Sequence, residues 1–386
     1  MDRKNYLKNV KRIVVKCGSA VLTKEDNLLD EEVIKNIAEN ISYFVKNSYQ
    51  IALVTSGAVA SGRGILKIEP KNIIEKQALA SIGQIALMQK YRDFFNKYGV
   101  EIAQILLTHD DFKDRRRYLH IRENIEKLLE FKIVPIINEN DSVVVDEIKF
   151  GDNDTLAALF SGLFNADLLI LLSDIDGFYS SNPKLDKNAK LIVSVKNIDE
   201  NLKKLATSTP SRLGTGGMLS KIEACDRATT LGIPVIIANG KNKDVIKKIL
   251  NGEIIGTFFY PKKNRLKSRK YWLRYSTRSR GEVIIDNGAK KAIIEAGKSL
   301  LPIGIVEVRG NFSEGDVVNI LDENGNLLGK GITYYSKEDL EKIKRKESKK
   351  IREILGYKIS DEAIHRNNMV IFEKNCWQKN FCMQYM

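Results

Sequence analysis

Short apolar runs alternate with amphipathic stretches over the first two thirds of the chain. Residues 12–16, RIVVK, read as a buried strand closed by Gly18 and Ser19. The stretch 30–45 then places Val33, Ile34, Ile37, Ile41 and Phe44 on one helical face, with Asp30 positioned to cap it. A second strand, IALVTS at 51–56, runs into Ser56-Gly57-Ala58 and a small-residue turn at 61–64. The pattern continues with a helix at 77–95, whose Ala78, Ala80, Ser81, Gly83 and Ala86 permit close approach of another element. A strand at 102–108, a helix at 118–130 and a strand at 131–138 follow. Next come a helix at 156–164 and a strand at 168–172 whose unbroken apolar run implies cover on both faces. Met218, Ile222, Cys225 and Ala228 recur at helical spacing, and 233–238 and 243–250 add one more strand and helix. Such alternation predicts an α/β fold: a mostly parallel sheet sandwiched between helical layers.

The rhythm stops at 261–280, PKKNRLKSRKYWLRYSTRSR, which has nine basic residues and no acidic one. Beyond it, 282–286, 304–309, 316–321 and 327–332 are short strand patterns separated by Gly, Asp and Asn, the mark of a small β-rich domain. A lysine-rich helical stretch fills 336–355. The expected organisation is therefore a domain at 1–260, a basic linker at 261–279, a second domain at 280–360, and a tail at 361–386 to which no role attaches.

A chain of 386 residues with 43% hydrophobic content suits two globular domains. Its charged start, MDRKNYLKNVKR, lacks an apolar core segment, and no run is long enough to cross a bilayer, so a cytoplasmic protein without membrane contact is expected. The net charge of +14 is concentrated late in the chain, keeping an anionic partner for the C-terminal part under consideration. Cys17, Cys225, Cys376 and Cys382 share no C-x-x-C spacing and read as free thiols; His109, His120 and His365 are too scattered for a relay or a metal site. Chemistry must rest on Lys, Asp and Asn.

The stretch 211–225, SRLGTGGMLSKIEAC, offers that chemistry. Glycines 214, 216 and 217 open backbone N–H groups to an anion at the start of a helix, and Lys221 follows one turn in. The spacing is not that of a P-loop, because no lysine directly follows the last glycine. A second lysine, Lys16, ends the first strand, on the sheet edge where ligands bind in open α/β folds. Polar clusters end further strands: Asn138-Glu139-Asn140-Asp141-Ser142, and Ser173-Asp174. Another, Phe150-Gly151-Asp152-Asn153-Asp154-Thr155, opens a helix that Asp152 or Asn153 could simply cap.

Taken in order, VKCGSAVLT, LVTSGAVASGRG, KQALASIGQ, RRRYLHIRENIEKLLE, PIINENDSV, FGDNDTLAA, LLSDIDGFYSSNP and GTGGMLSKIEA resemble the glutamate 5-kinases of the amino acid kinase family. DNGAKKAIIEAGKSLLPIGI and GNFSEGD resemble the PUA domain that many of them carry. The resemblance implies ATP-dependent phosphorylation of the glutamate side-chain carboxylate, the first step toward proline. It implies Asp154 as the residue orienting Lys16 and Lys221. Lys16, Ser173, Asp174, Thr215, Gly216, Gly217, Met218, Leu219, Ser220 and Lys221 would hold ATP, and Ser56, Asp141 and Asn153 would hold glutamate. Mg²⁺ would arrive on the nucleotide, with no dedicated protein ligand. Proline as feedback inhibitor, a homotetramer and a glutamyl phosphate reductase as partner are further implications. Two departures stand out: Ala20 replaces a usual hydroxyl residue, and Cys17 a usual aliphatic one, where a thiol serves as a small hydrophobe. Kinases of the same family acting on N-acetylglutamate, aspartate, carbamate or a nucleoside monophosphate remain the enzymatic alternative, and RNA binding through the PUA-like part the alternative of another class.

Overall fold

The computed structural model describes residues 3–24, 26, 28–143, 153–183, 185–186, 188–207, 217–262, 273 and 279–372. Two compact units divide it, Met1–Arg265 and Leu266–Met386.

In chain order the first unit contains α1 (Arg3–Leu7), β1 (Arg12–Cys17), α2 (Ser19–Leu22), α3 (Glu31–Lys46), β2 (Gln50–Val54), α4 (Ala58–Leu66), α5 (Ile73–Asn96), β3 (Ile102–Leu107), α6 (His109–Lys113) and α7 (Arg115–Glu130). It continues with β4 (Val134–Glu139), α8 (Asn153–Leu163), β5 (Leu168–Ser173), β6 (Ser194–Val195), α9 (Glu200–Thr207), α10 (Met218–Thr230), β7 (Val235–Asn239), α11 (Val245–Leu250) and β8 (Thr257–Phe259). Among the described residues the strands form one sheet in the order β3-β4-β2-β1-β5-β7-β8-β6. Every pairing in it is parallel except β7 with β8. From β1 the chain winds outward to one side through β2, then crosses to the other at β5, which makes the β1/β5 boundary the topological switch point.

The reasons are local. Asp30 accepts the Val33 amide and so caps α3, whose Val33, Ile34, Ile37, Ile41 and Phe44 are all buried against the sheet. β5 is buried along its whole length, as its continuous apolar run requires. The expected turn at 61–64 is instead the middle of α4. Gly62 belongs there because a Cβ would lie 2.1 Å from the Leu79 carbonyl of α5, and Gly83 because its Cβ would lie 1.8 Å from the Ala58 carbonyl of α4. Close packing of two helices, not a chain reversal, demands those glycines. The short strands β6 and β8 and helix α9 have no counterpart in the sequence expectation.

The second unit has β9 (Gly281–Ile285), α12 (Asn287–Ile294), β10 (Ile305–Gly310), β11 (Val317–Asp322), β12 (Leu327–Ile332), α13 (Lys337–Ile343), α14 (Ile351–Leu355) and β13 (Met369–Ile371). Its sheet runs β10-β9-β11-β12-β13 around a core of its own that includes Val283, Ile320, Leu328 and Tyr335. The four β patterns appear where expected. The stretch 336–355 is not one helix: α13 stops before Lys344, and Arg345 takes a left-handed φ of 61°. The sheet also reaches past 360, because β13 pairs with β12. Most of the basic segment 261–279, and Cys376, Trp377 and Cys382 of the tail, lie outside the described residues.

Candidate active site

Four adjacent parallel strands, β4, β2, β1 and β5, end on the same edge of the sheet. Residues at or just past their ends bring Asn138, Ser56, Lys16 and Ser173 to that edge. Helix α8 starts there too, and its first two residues divide the site between them.

Asp154 is fully buried and holds two lysines. Lys16 Nζ from the end of β1 stands 2.5 Å from Asp154 Oδ1, and Lys221 Nζ from the first turn of α10 stands 3.0 Å from Oδ2. Ser220 Oγ donates to the same Oδ2 at 3.3 Å and to the Gly217 carbonyl at 3.0 Å. The lysines are 4% and 8% exposed, so this triad of two cations and one anion sits almost out of water with a formal charge of +1. Burial would push the Asp154 carboxyl up, but the charges of Lys16 and Lys221 and their hydrogen bonds prevail and hold it far below the ordinary carboxylate range. The N-cap of helix α10 is Gly217, which offers no side-chain cap to the first turn, and a helix start of this kind can take an anion.

Asn153 faces the other way. Its Nδ2 donates to Ser56 Oγ at 2.9 Å and to Asn138 Oδ1 at 3.2 Å, while its Oδ1 is buried with no hydrogen-bond partner among the described residues. Asn138 in turn donates from Nδ2 to Gln84 Oε1 of α5 at 2.9 Å. Next to Ser56, the Thr55 hydroxyl lies 2.7 Å from the Tyr91 hydroxyl, also on α5. Asp141 follows β4 in a turn, and burial pushes its carboxyl up to about 6.

The structure thus brings Lys16, Asp154, Ser220 and Lys221 into one cluster and Ser56 and Asn153 into a second, joined through the backbone of α8. Ser173 ends β5 and Asp174 follows it; Ser173 is buried and donates to Asp174 Oδ1 at 3.3 Å. Met218 and Leu219 form the start of α10 with Gly217 before them. No hydrogen bond or ion pair joins Asp141 to either cluster among the described residues, and Thr215 and Gly216 lie outside them. Cys17 is buried with its thiol pushed up to about 12 by desolvation, in keeping with a packing role. Asn138 heads the polar cluster at 138–142 and Gln84 ends the stretch KQALASIGQ, but the sequence assigned neither a role in the site.

A parallel α/β sheet whose switch point presents two buried lysines beside an uncapped helix start defines a class: a protein that binds a phosphorylated ligand at the strand ends. The family model described as "Amino acid kinase family" matches residues 11–239, and the one described as "PUA domain" matches 281–355. The chain belongs to the amino acid kinase family and carries a PUA domain. It is 47% identical to a glutamate 5-kinase of Thermoanaerobacter sp. (strain X514), over 94% of this chain and 98% of that protein. A glutamate 5-kinase of Syntrophotalea carbinolica is 46% identical over 96% of this chain and 99% of its own length. One from Syntrophus aciditrophicus is 47% identical over 97% of each.

Proposed function

We propose that this protein transfers the γ-phosphoryl group of ATP to the side-chain carboxylate of L-glutamate, giving L-glutamyl 5-phosphate and ADP, the first step of proline biosynthesis. The observation that carries the reading is the first turn of α8, where consecutive residues serve a cationic cluster and an amide–hydroxyl cluster. The glutamate 5-kinase relatives, matched over nearly their full length, support the choice of substrate.

Gly217, Met218, Leu219 and Ser220 at the start of α10, together with Thr215, Gly216, Ser173 and Asp174, hold the nucleotide. Lys16 and Lys221 face its phosphates. The attacking carboxylate is already ionised at neutral pH and needs no base. The protein's task is therefore to place that carboxylate in line with phosphorus and to neutralise the charge that moves toward ADP. Asp154 keeps both ammonium groups fixed before the nucleotide arrives, so little reorganisation remains for the transition state. Asn153 Oδ1 and the Asp141 carboxylate accept from the α-ammonium of glutamate, and Ser56 donates to its α-carboxylate. Mg²⁺, carried on the nucleotide phosphates, would add charge neutralisation there; among the described residues there is no cluster of three His, Cys, Asp or Glu to hold a metal.

The same reading places the enzyme in the cytoplasm, with proline as feedback inhibitor, glutamyl phosphate reductase as consumer of its labile product, and RNA as a ligand class open to the PUA domain. It takes the enzyme as a homotetramer. Ile74 and Ile85 on one face of α5 are 72% and 75% exposed, and Ile82 lies beside them, a patch suited to a second copy of the chain. ADP release across a panel of glutamate, N-acetylglutamate, aspartate, carbamate and UMP, with hydroxylamine trapping of any acyl phosphate formed, tests the proposal. Hydroxamate from glutamate alone is expected; turnover of another acceptor in its place would overturn it.

A further inference from the structure

We propose that Gln84 is a positioning residue that fixes the polarity of an amide chain ending at the acceptor-substrate site, and thereby sets preference for a substrate bearing an α-ammonium group. The inference rests on the functional reading above and extends it to a side chain that reading does not use.

Gly83 allows α5 to lie against the Ala58 carbonyl at the start of α4, next to the Ser56 turn, and the following residue, Gln84, then reaches β4. Gln84 is 8% exposed. A glutamine in so tight a helix contact is costly to bury unless its amide is used. Its Oε1 accepts from Asn138 Nδ2; Asn138 Oδ1 accepts from Asn153 Nδ2 and from the Glu139 amide at 3.0 Å; Asn153 Nδ2 also serves Ser56 Oγ. Each primary amide has a carbonyl on one side and an NH₂ on the other, so the orientation of one dictates the next. With the Gln84 carbonyl toward Asn138, the NH₂ groups of Asn138 and Asn153 are committed to their neighbours, while Gln84 Nε2 is buried with no hydrogen-bond partner among the described residues. Among the described residues Asn153 Oδ1 is consequently left as a buried acceptor without a partner, and Ser56, its oxygen already accepting, is left with its O–H to donate. An unfilled acceptor beside a free hydroxyl donor complements an ammonium and a carboxylate on one carbon. Asn138 is pinned from both sides, by the Glu139 N–H on its carbonyl and by Gln84 on its NH₂. Removing the Gln84 carbonyl strands a buried donor, which Asn138 relieves only by rotating out of the chain.

The test compares full-length wild type with Gln84→Leu and Gln84→Glu, the latter keeping an oxygen acceptor for Asn138. Steady-state kinetics give KM for L-glutamate and for ATP, kcat, and the inhibition constant of glutarate, which has both carboxylates and no ammonium. Gln84→Leu should raise the glutamate KM about tenfold, the effect of one buried hydrogen-bond donor left unpaired. ATP KM, kcat and the glutarate constant should stay within about twofold, so preference for the ammonium falls. Gln84→Glu should return the glutamate KM to near the wild-type value. Unchanged glutamate KM in Gln84→Leu, or a parallel change in every constant with no rescue by Gln84→Glu, would overturn the positioning role while wild-type activity leaves the functional reading standing. Should Gln84→Leu fail to fold by thermal melting, Gln84→Met takes its place with the same expected pattern. A wild type inert toward glutamate overturns both.

Discussion

Replacing Asp154 by Asn removes one negative charge and nearly nothing else, which makes it the sharpest probe of the cationic cluster. The substitution leaves the Lys16 and Lys221 ammonium groups buried without their shared counter-charge. Breaking a buried ion pair from one side typically costs ~3–5 kcal/mol. At ~2–4 °C of melting temperature per kcal/mol for a unit of this size, the first unit should melt ~6–20 °C lower. ATP should then stabilise the variant more than the wild type, because phosphate no longer competes with a carboxylate for the lysines. Acid adds a second reading. The folded Asp154 carboxyl lies well below its unfolded value of ~3.9, so its contribution is present above that value and is lost as pH falls toward the folded one. Wild type should therefore lose stability below ~pH 5 along a steeper limb than the Asn variant. Melting curves between pH 3 and 8, with and without ATP, supply all three comparisons. Equal melting temperatures at pH 7 together with parallel acid limbs would refute the view that Asp154 stabilises the two charges.

Lys16→Ala and Lys221→Ala should each lower kcat by ~10²–10³ with smaller changes in KM, since the charge they meet grows toward the transition state; steady-state rates of ADP release decide this. Because burial pushes the Asp141 carboxyl up to about 6, kcat/KM for glutamate should fall as pH drops through that value, and Asp141→Asn should have a higher KM and a flat profile over the same range. A fragment of residues 1–262 should still form hydroxamate, because the first unit has its own core and holds every described site residue; a fragment that binds ATP and turns nothing over would contradict this. Ile85→Glu should lower the mass measured by light scattering if the α5 face joins two copies of the chain, and an unchanged mass would remove α5 from that interface.

What the sequence made legible follows from how local each signal is. The Asp30 cap, the buried face of α3 and the apolar strands β1 and β5 are written within a few residues, and the fold obeys them. Lys16 and Lys221 could be paired because one ends a strand just before a Gly-Ser turn and the other sits one turn into the helix after the glycine stretch. Helix α4 was hidden because Ser61, Gly62 and Gly64 carry turn propensity, and only the Leu79 carbonyl on another helix explains why a glycine is needed. Tertiary packing overrode local preference there. β6 and β8, two and three residues long, are too short to show a period, and their pairing partners are remote. Gln84 was silent for a similar reason. A glutamine on a helix reads as solvent-facing until the approach at Gly83 turns it toward Asn138.

In the proposed reaction the side-chain carboxylate of a glutamate anchored at its α-ammonium by Asn153 attacks the phosphorus held near Lys16, Lys221 and α10. Glutamate labelled with ¹⁸O in both side-chain carboxylate oxygens tests it directly, with ATP, Mg²⁺ and hydroxylamine present. Attack by the carboxylate leaves one of its oxygens bridging carbon and phosphorus, and hydroxylamine then breaks the bond between that oxygen and the acyl carbon. Mass spectrometry of the released inorganic phosphate should find one ¹⁸O per molecule, matched to hydroxamate formed; unlabelled phosphate would contradict the account.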